Sequence, residues 1–401
     1  MPARPRSFLP RLLLSAAVLL AVAGGGGARA QGAAPVLVGA VLPQSGFLAD
    51  LAADYRKGLL LWQEEANARG GLAGRRIELE LLDDRSESID DARLYETLIR
   101  ERKADVLIGP FGSAASLGAA AVAERARRVM INATGASRSV HKAQYRYVFQ
   151  STVPFAAYGA PALEAARALG VKRLFILARE DAGARESAQR MREDALAQGF
   201  TAGEVEVYAQ GAEDFVAQVA KARKAEAEAW IAFGLPQDGV AMVKTFRKVG
   251  FAPRLVVAQG AASPEFVAGL GQYAEYAVGI APYDRRAATR GNGEFIVNFA
   301  RKWSADPGLH AAEGYAAGRV LEEGARAAGS LEPDRLRAAL AALETETPLG
   351  PYKVDRGGAQ LAARPLLVQV LRGRREIVWP EAQATAKLRP YPSWAERPVL
   401  K

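Results

Sequence analysis

From Val36 onward the chain alternates short apolar runs with segments of helical period, and that alternation narrows its possible folds more than any other feature. Val36–Leu42 (VLVGAVL) reads as a buried strand that stops at the turn residues Pro43, Gln44, Ser45 and Gly46. Tyr55, Leu59, Trp62 and Ala66 follow at i, i+4, i+7 and i+11, one face of a helix that Gly70-Gly71 closes. The pattern continues as strand 76–82, helix 88–103, strand 105–109, helix 113–127 and strand 128–132. A second series starts near Pro154, with helices over 155–169, 184–198, 213–224 and 237–249. Its strands fall at 172–178, 205–208, 229–233 and 254–258. Two such series predict α/β architecture in two Rossmann-like lobes with a cleft between them. Residues 291–343 read as helical through Phe295, Phe299, Tyr315 and Leu321, and 350–355 and 365–371 as strands. Residues 372–375 read as a tight turn, and the prolines at 380, 390, 392 and 398 predict an extended surface strap over 381–401.

Composition matters chiefly for what it excludes. A chain of 401 residues without cysteine has no disulfide, thiol nucleophile, zinc knuckle or iron–sulfur cluster. Its two histidines, His141 and His310, are far apart in sequence and read as surface or packing residues rather than metal ligands. Residues 1–30 hold four arginines and no acid, an apolar run over 12–23 (LLLSAAVLLAVA), and Ala28-Arg29-Ala30. That is the pattern of a secretory signal peptide, and its apolar run is shorter than the roughly 20 residues a membrane span needs. Cleavage after Ala30 would leave 371 residues at a formal charge of +5, spread along the chain. The expectation is an exported, soluble protein without a cofactor, a metal or a nucleic-acid partner.

No nucleophile elbow, Walker A loop or HExxH motif is present. Gly269–Ala274 (GLGQYA) fits a loose dinucleotide fingerprint, but it follows a helix-like stretch instead of a strand. Asp83-Asp84 and Asp90-Asp91 read as a strand terminus and a first-turn helix cap. Two strand–turn–helix junctions carry more information: 106–116 (VLIGPFGSAAS) and 129–137 (VMINATGAS). Each ends a buried strand in glycine and hydroxyl residues, at the sheet edge where α/β proteins collect ligands. A helix N-terminus there has unpaired N–H groups and partial positive charge, which suits a carboxylate. Ser113 and Ser137 can donate to such an anion or serve as ordinary caps, and the motifs alone leave both readings open.

VLVGAVLPQSG at 36–46, NARGGLAGRRIELELLDD at 67–84, LIGPFGSAAS at 107–116 and INATGAS at 131–137 occur in this order. With TPLGPYKVDRGG at 347–358, the chain resembles the Leu/Ile/Val-binding family of type I periplasmic solute-binding proteins, which serve ABC transporters. The resemblance implies two lobes joined by three crossovers, 35–153 with 283–349 and 154–282 with 350–380, closing on a ligand. It implies a monomer that hands its small-molecule ligand to an inner-membrane permease. It also implies ligand contacts at Ser113 and near Thr134, Ala136 and Ser137. Phe111, Leu51, Phe155 and Tyr158 would line the cleft, with Leu235 or Pro236 on the far wall and Gln259 beside them.

Departures from the family pattern bear on the ligand. Phe155 stands where an aspartate often opens the second lobe, and Gln259 where amino-acid binders carry the acid that meets the ammonium. A tyrosine is missing around Ala182-Gly183. Enclosing an ammonium without a counter-charge costs several kcal/mol, enough to abolish micromolar binding. The expected ligand is therefore a branched or aromatic acid lacking an α-amino group. The alternative is an amino acid whose charge is met by Asp181, Asp238 or Asp284. Further alternatives are a ligand sensor of the same fold, or an exported hydrolase with His141 as the base beside Ser113.

Overall fold

A computed structural model describes residues 1–2 and 34–397, so the expected signal peptide lies outside the described residues. The chain enters β1 (Val36–Leu42), α1 (Ala49–Ala68), β2 (Ile77–Asp83), α2 (Asp91–Arg100), β3 (Val106–Ile108), α3 (Ser113–Arg125), β4 (Met130–Asn132) and β5 (Val148–Gln150). All five strands are parallel, in the order β2-β1-β3-β4-β5. The strand sequence reverses between β1 and β3, so the loops leaving those two strands diverge and open a crevice at their carboxyl ends.

The second series comprises α4 (Ala160–Ala168), β6 (Arg173–Arg179), α5 (Ala182–Ala197), β7 (Thr201–Ala202), β8 (Glu206–Tyr208), α6 (Val216–Lys224), β9 (Ala229–Phe233), α7 (Pro236–Val249), β10 (Leu255–Ala258), α8 (Pro264–Leu270) and β11 (Val278–Ala281). Strands β6, β9, β10 and β11 pair in parallel, with β7 and β8 on the far side of β6. The same reversal therefore occurs between β6 and β9. The chain then returns to the first sheet for α9 (Asn292–Trp303), α10 (Leu309–Ala328), α11 (Pro333–Ala342) and the small hairpin β12 (Thr345–Thr347) and β13 (Gly350–Tyr352). It ends on the second sheet with the antiparallel hairpin β14 (Leu366–Leu371) and β15 (Arg374–Trp379). The result is two α/β lobes joined by three crossovers.

The periodic face read from α1 is its packing face: Tyr55, Leu59, Trp62 and Ala66 are all fully buried. They meet α10 at a spacing that leaves no room for side chains on the facing glycines. A Cβ on Gly58 would lie 2.1 Å from the carbonyl oxygen of Ala311, and one on Gly318 would lie 2.0 Å from the Trp62 indole. Sequence-based helix limits run long where turns intervene. The segment 88–90 is a 3₁₀ turn ahead of α2, 155–157 is another ahead of α4, and 291–343 divides into α9, α10 and α11.

Three expectations need correction. Neither Asp90 nor Asp91 caps α2; Asp90 pairs with Arg85 and Arg93, and Asp91 is fully buried. Tyr352 and Val354, assigned by sequence to the second lobe, pack in the first lobe's core because β13 pairs back to β12. The proline-rich strap is not merely superficial: Tyr391 is buried, and the Trp394 indole donates to the Phe251 carbonyl at 2.9 Å.

Candidate functional site

The first wall of the cleft is built at the carboxyl end of β3. Two buried tyrosines anchor carbonyls there: Tyr95 donates to Ile108 at 2.5 Å and Tyr55 to Gly109 at 2.7 Å. The chain then turns through Gly112, whose φ of 91° lies in the region that favours glycine. Among the described residues no side chain caps α3 at Gly112, so its first-turn N–H groups begin at Ser113 without a capping oxygen. Thr134 clasps this junction from the next one, accepting from the Gly112 amide and donating to the Pro110 carbonyl, both at 2.7 Å.

The second junction is braced by Asn132, whose side-chain amide bonds the Gly135 N–H and carbonyl at 2.9 Å each. The Ser113 hydroxyl accepts the Ser137 amide at 3.1 Å, leaving its own proton to donate. The Ala136 carbonyl accepts the Phe155 amide at 3.0 Å, which brings the first crossover onto the same wall. Phe155 stands edge-on to the buried Tyr158 with ring centroids 5.4 Å apart. The Phe155 ring also lies against Gly183, where a Cβ would approach to 2.8 Å. Ser113, Phe111, Ala136, Phe155 and Tyr158 thus occupy one connected region.

Other residues named from sequence are engaged differently. The Thr134 hydroxyl has both its donor and an acceptor position in use within the wall. Ser137 donates to Glu186 of α5 at 2.6 Å, while Glu186 also accepts the Arg138 amide at 2.9 Å. Leu51 on α1 and Leu235 at the start of α7 are 53% and 42% exposed, apolar surface at the two sheet edges. Gln259 follows β10, half buried, and its side chain makes no hydrogen bond among the described residues.

The three alternative carboxylates all have other partners. Asp181 caps α5 through the Ala184 amide at 2.8 Å and pairs with Arg179. Asp238 accepts the Leu235 amide at 2.8 Å and the Tyr208 hydroxyl at 3.3 Å. Burial opposes the ionisation of Asp284, yet its hydrogen bonds to Arg286 hold the carboxyl below its usual range. His141 is also engaged on both sides. Its Nε2 faces the Asn132 side-chain N–H group at 3.1 Å and must accept, so Nδ1 carries the proton and donates to Gly357 at 3.0 Å. Burial lowers its pKa, so it is a neutral strut beneath the crossovers rather than a base beside Ser113.

Sequence reading missed Glu313 and His310 as a pair, near the N-terminus of α10. Glu313 is buried, accepts the Thr152 hydroxyl at 2.7 Å and takes His310 Nδ1 at 2.8 Å. The His310 ring stands edge-on to Phe111 at 4.8 Å. Nothing in the local pattern marks this pair, because α1 and α10 meet only through the tertiary fold.

Fold and site together define a two-lobed α/β solute-binding protein. A family model described as periplasmic binding protein matches residues 35–375, and the chain belongs to that family. A Leu/Ile/Val-binding protein homologue of Brucella suis biovar 1 is 24% identical over 409 residues, covering 95% of this chain and 99% of the relative. Among solved structures, a leucine-binding protein of Thermotoga maritima is 22% identical with a TM-score of 0.69, covering 85% of this chain and 97% of its own. An ABC-transporter solute-binding protein of R. palustris, in complex with benzoate, is 21% identical with a TM-score of 0.68. It covers 90% of this chain and 98% of its own. At these identities the structural likenesses establish the fold.

Proposed function

We propose that the chain is the exported, periplasmic substrate-binding component of an ABC importer, a monomer that captures a small carboxylate-bearing solute and delivers it to a permease. The observation that carries this reading is Ser113, a free hydroxyl donor at the uncapped start of α3, on the carboxyl edge of the first sheet. Partial positive charge and unpaired N–H groups there favour a carboxylate. Closure of the second lobe would bring Leu235 and Gln259 toward the ligand and bury the exposed leucines. The differential affinity of the ligand for the closed arrangement drives that change.

Within the carboxylates, an acid without an ammonium is favoured over an amino acid. Gln259 is neutral, Asp181, Asp238 and Asp284 have other partners, and Glu313 is covered by His310. Solved structures of the same fold bracket both classes, one a leucine-binding protein and one in complex with benzoate. A thermal-shift screen of residues 31–401, refolded once to remove carried-over ligand, separates the two. The panel pairs leucine with 4-methylpentanoate and phenylalanine with 3-phenylpropionate. A ligand at 100 times its Kd adds about 2.7 kcal/mol of stability, a shift of several degrees. Stabilisation by the deaminated acids alone is the expected result, and stabilisation by the amino acids would overturn the acid reading.

A further inference from the structure

The cleft wall contains one carboxylate whose charge is balanced by a removable partner. Glu313 is buried near the N-terminus of α10, one turn after His310, with Thr152 on Oε1 and His310 on Oε2. Its negative charge also reaches Tyr55 and Tyr158, raising the pKa of each beyond what burial does. Phe111 lies two residues before Ser113, and its ring touches the imidazole of His310. The carboxylate seat and the His310–Glu313 pair therefore border the same aromatic side chain.

We propose that His310 acts as a charge gate over Glu313: while the imidazolium covers this carboxylate the cleft takes amine-free acids, and without it the same wall becomes an ammonium site. The proposal deepens the acid reading above and rests on it. A buried carboxylate stripped of its cation is strongly destabilised and recruits whatever cation is within reach. With His310 removed, Oε2 of Glu313 is free on a wall where a bound amino acid would present its ammonium. Thr152 continues to hold Oε1, so the carboxylate stays in place.

The charged groups around His310 support the covered state. Glu313 faces it from its own helix, and Asp54 of α1 adds a second negative charge, itself paired with Lys57 at 2.8 Å. Phe111 contributes an aromatic edge from the β3–α3 loop. Burial works against protonation, but the Glu313 hydrogen bond and the two carboxylates outweigh it, so the His310 pKa is raised. The imidazole side chain is 34% exposed, so protons can exchange with solvent.

Two measurements on the chain 31–401 test the gate. The first titrates the ring protons by NMR without ligand; the chain has only two histidines, and His141→Gln assigns them. His310 is expected to titrate above 6.5 and to fall in Glu313→Gln, whereas a wild-type midpoint at or below 6.5 overturns the proposal. The second compares leucine and 4-methylpentanoate by calorimetry on wild type and His310→Gln. The leucine-to-acid affinity ratio is expected to rise at least tenfold in the variant, and Glu313→Gln should abolish that gain. A ratio within twofold of wild type overturns the gate, as does silence of both probes on the variant. Leucine binding to wild type more tightly than 4-methylpentanoate would instead overturn the acid reading, so the two failures are distinguishable.

Discussion

Ser137 donates its hydroxyl to Glu186 at 2.6 Å, and this bond joins the loop after β4 in the first lobe to α5 in the second. Glu186 also accepts the Arg138 amide, so a single carboxylate spans two neighbouring groups across the lobe boundary. Hydrogen bonds to an ionised group contribute about 1.5–3 kcal/mol each. Glu186→Ala is therefore expected to loosen the lobes, lowering the urea midpoint and increasing the radius of gyration measured by X-ray scattering. An unchanged radius and midpoint would remove the bridge from the account of how the lobes are held.

Ser113→Ala isolates the carboxylate seat. Among the described residues the Ser113 hydroxyl accepts only the Ser137 amide, so its loss should shift Tm by no more than a few degrees. Ligand affinity should fall about 10–100-fold, the equivalent of one charge-assisted hydrogen bond. Titration of whichever acid the thermal-shift screen identifies is the measurement. A loss below threefold would mean that the ligand carboxylate sits elsewhere.

Asp91 gives the protein a pH-dependent weakness unrelated to the ligand. Both carboxyl oxygens are buried without a hydrogen-bond partner among the described residues. Burial, then the charges of Asp84 and Asp90, raise its pKa to about 7. The unfolded value is near 3.9, so the folded state retains a proton that the unfolded state releases. Stability from this group is full below about pH 4 and is lost as pH rises to about 7, with an upper bound of about 4 kcal/mol. Asp91→Asn should thus have a higher urea midpoint than wild type at pH 8 and converge with it at pH 4. An equal difference at both pH values would contradict the titration.

The contact of α1 with α10 predicts sensitivity at a residue far from any ligand. Gly318→Ala places a methyl group inside the Trp62 indole's space, and neither helix can withdraw without disturbing a buried face. Overpacking of this kind costs about 1–3 kcal/mol. Urea unfolding should show that loss, and ligand affinity should fall with it, because α1 carries Leu51 and α10 carries His310. Wild-type stability in Gly318→Ala would show that the helices have slack.

The alternation of strands and helices was legible from residues alone because local periodicity reports which side chains must be buried. Tyr55, Leu59, Trp62 and Ala66 declare one face of α1 whatever that face meets, and the glycine and hydroxyl residues at 109–116 declare a turn at a sheet edge. The same pattern predicted two lobes and set Ser113 at a sheet edge, and the family resemblance added the three crossovers and a ligand contact at that serine. What lay beyond the sequence was which polar atoms already have partners. Thr134 and Ser137 have the same hydroxyl chemistry as Ser113, yet the fold engages Thr134 with Pro110 and Gly112, and Ser137 with Glu186. Asp181, Asp238 and Asp284 are likewise occupied by caps and arginines. Glu313 and His310 reach the cleft only because α10, more than 240 residues after α1 in the chain, packs parallel to it. Hydrogen-bond satisfaction and long-range helix packing depend on tertiary geometry, so they decide the chemistry of the wall while local pattern decides only its scaffold.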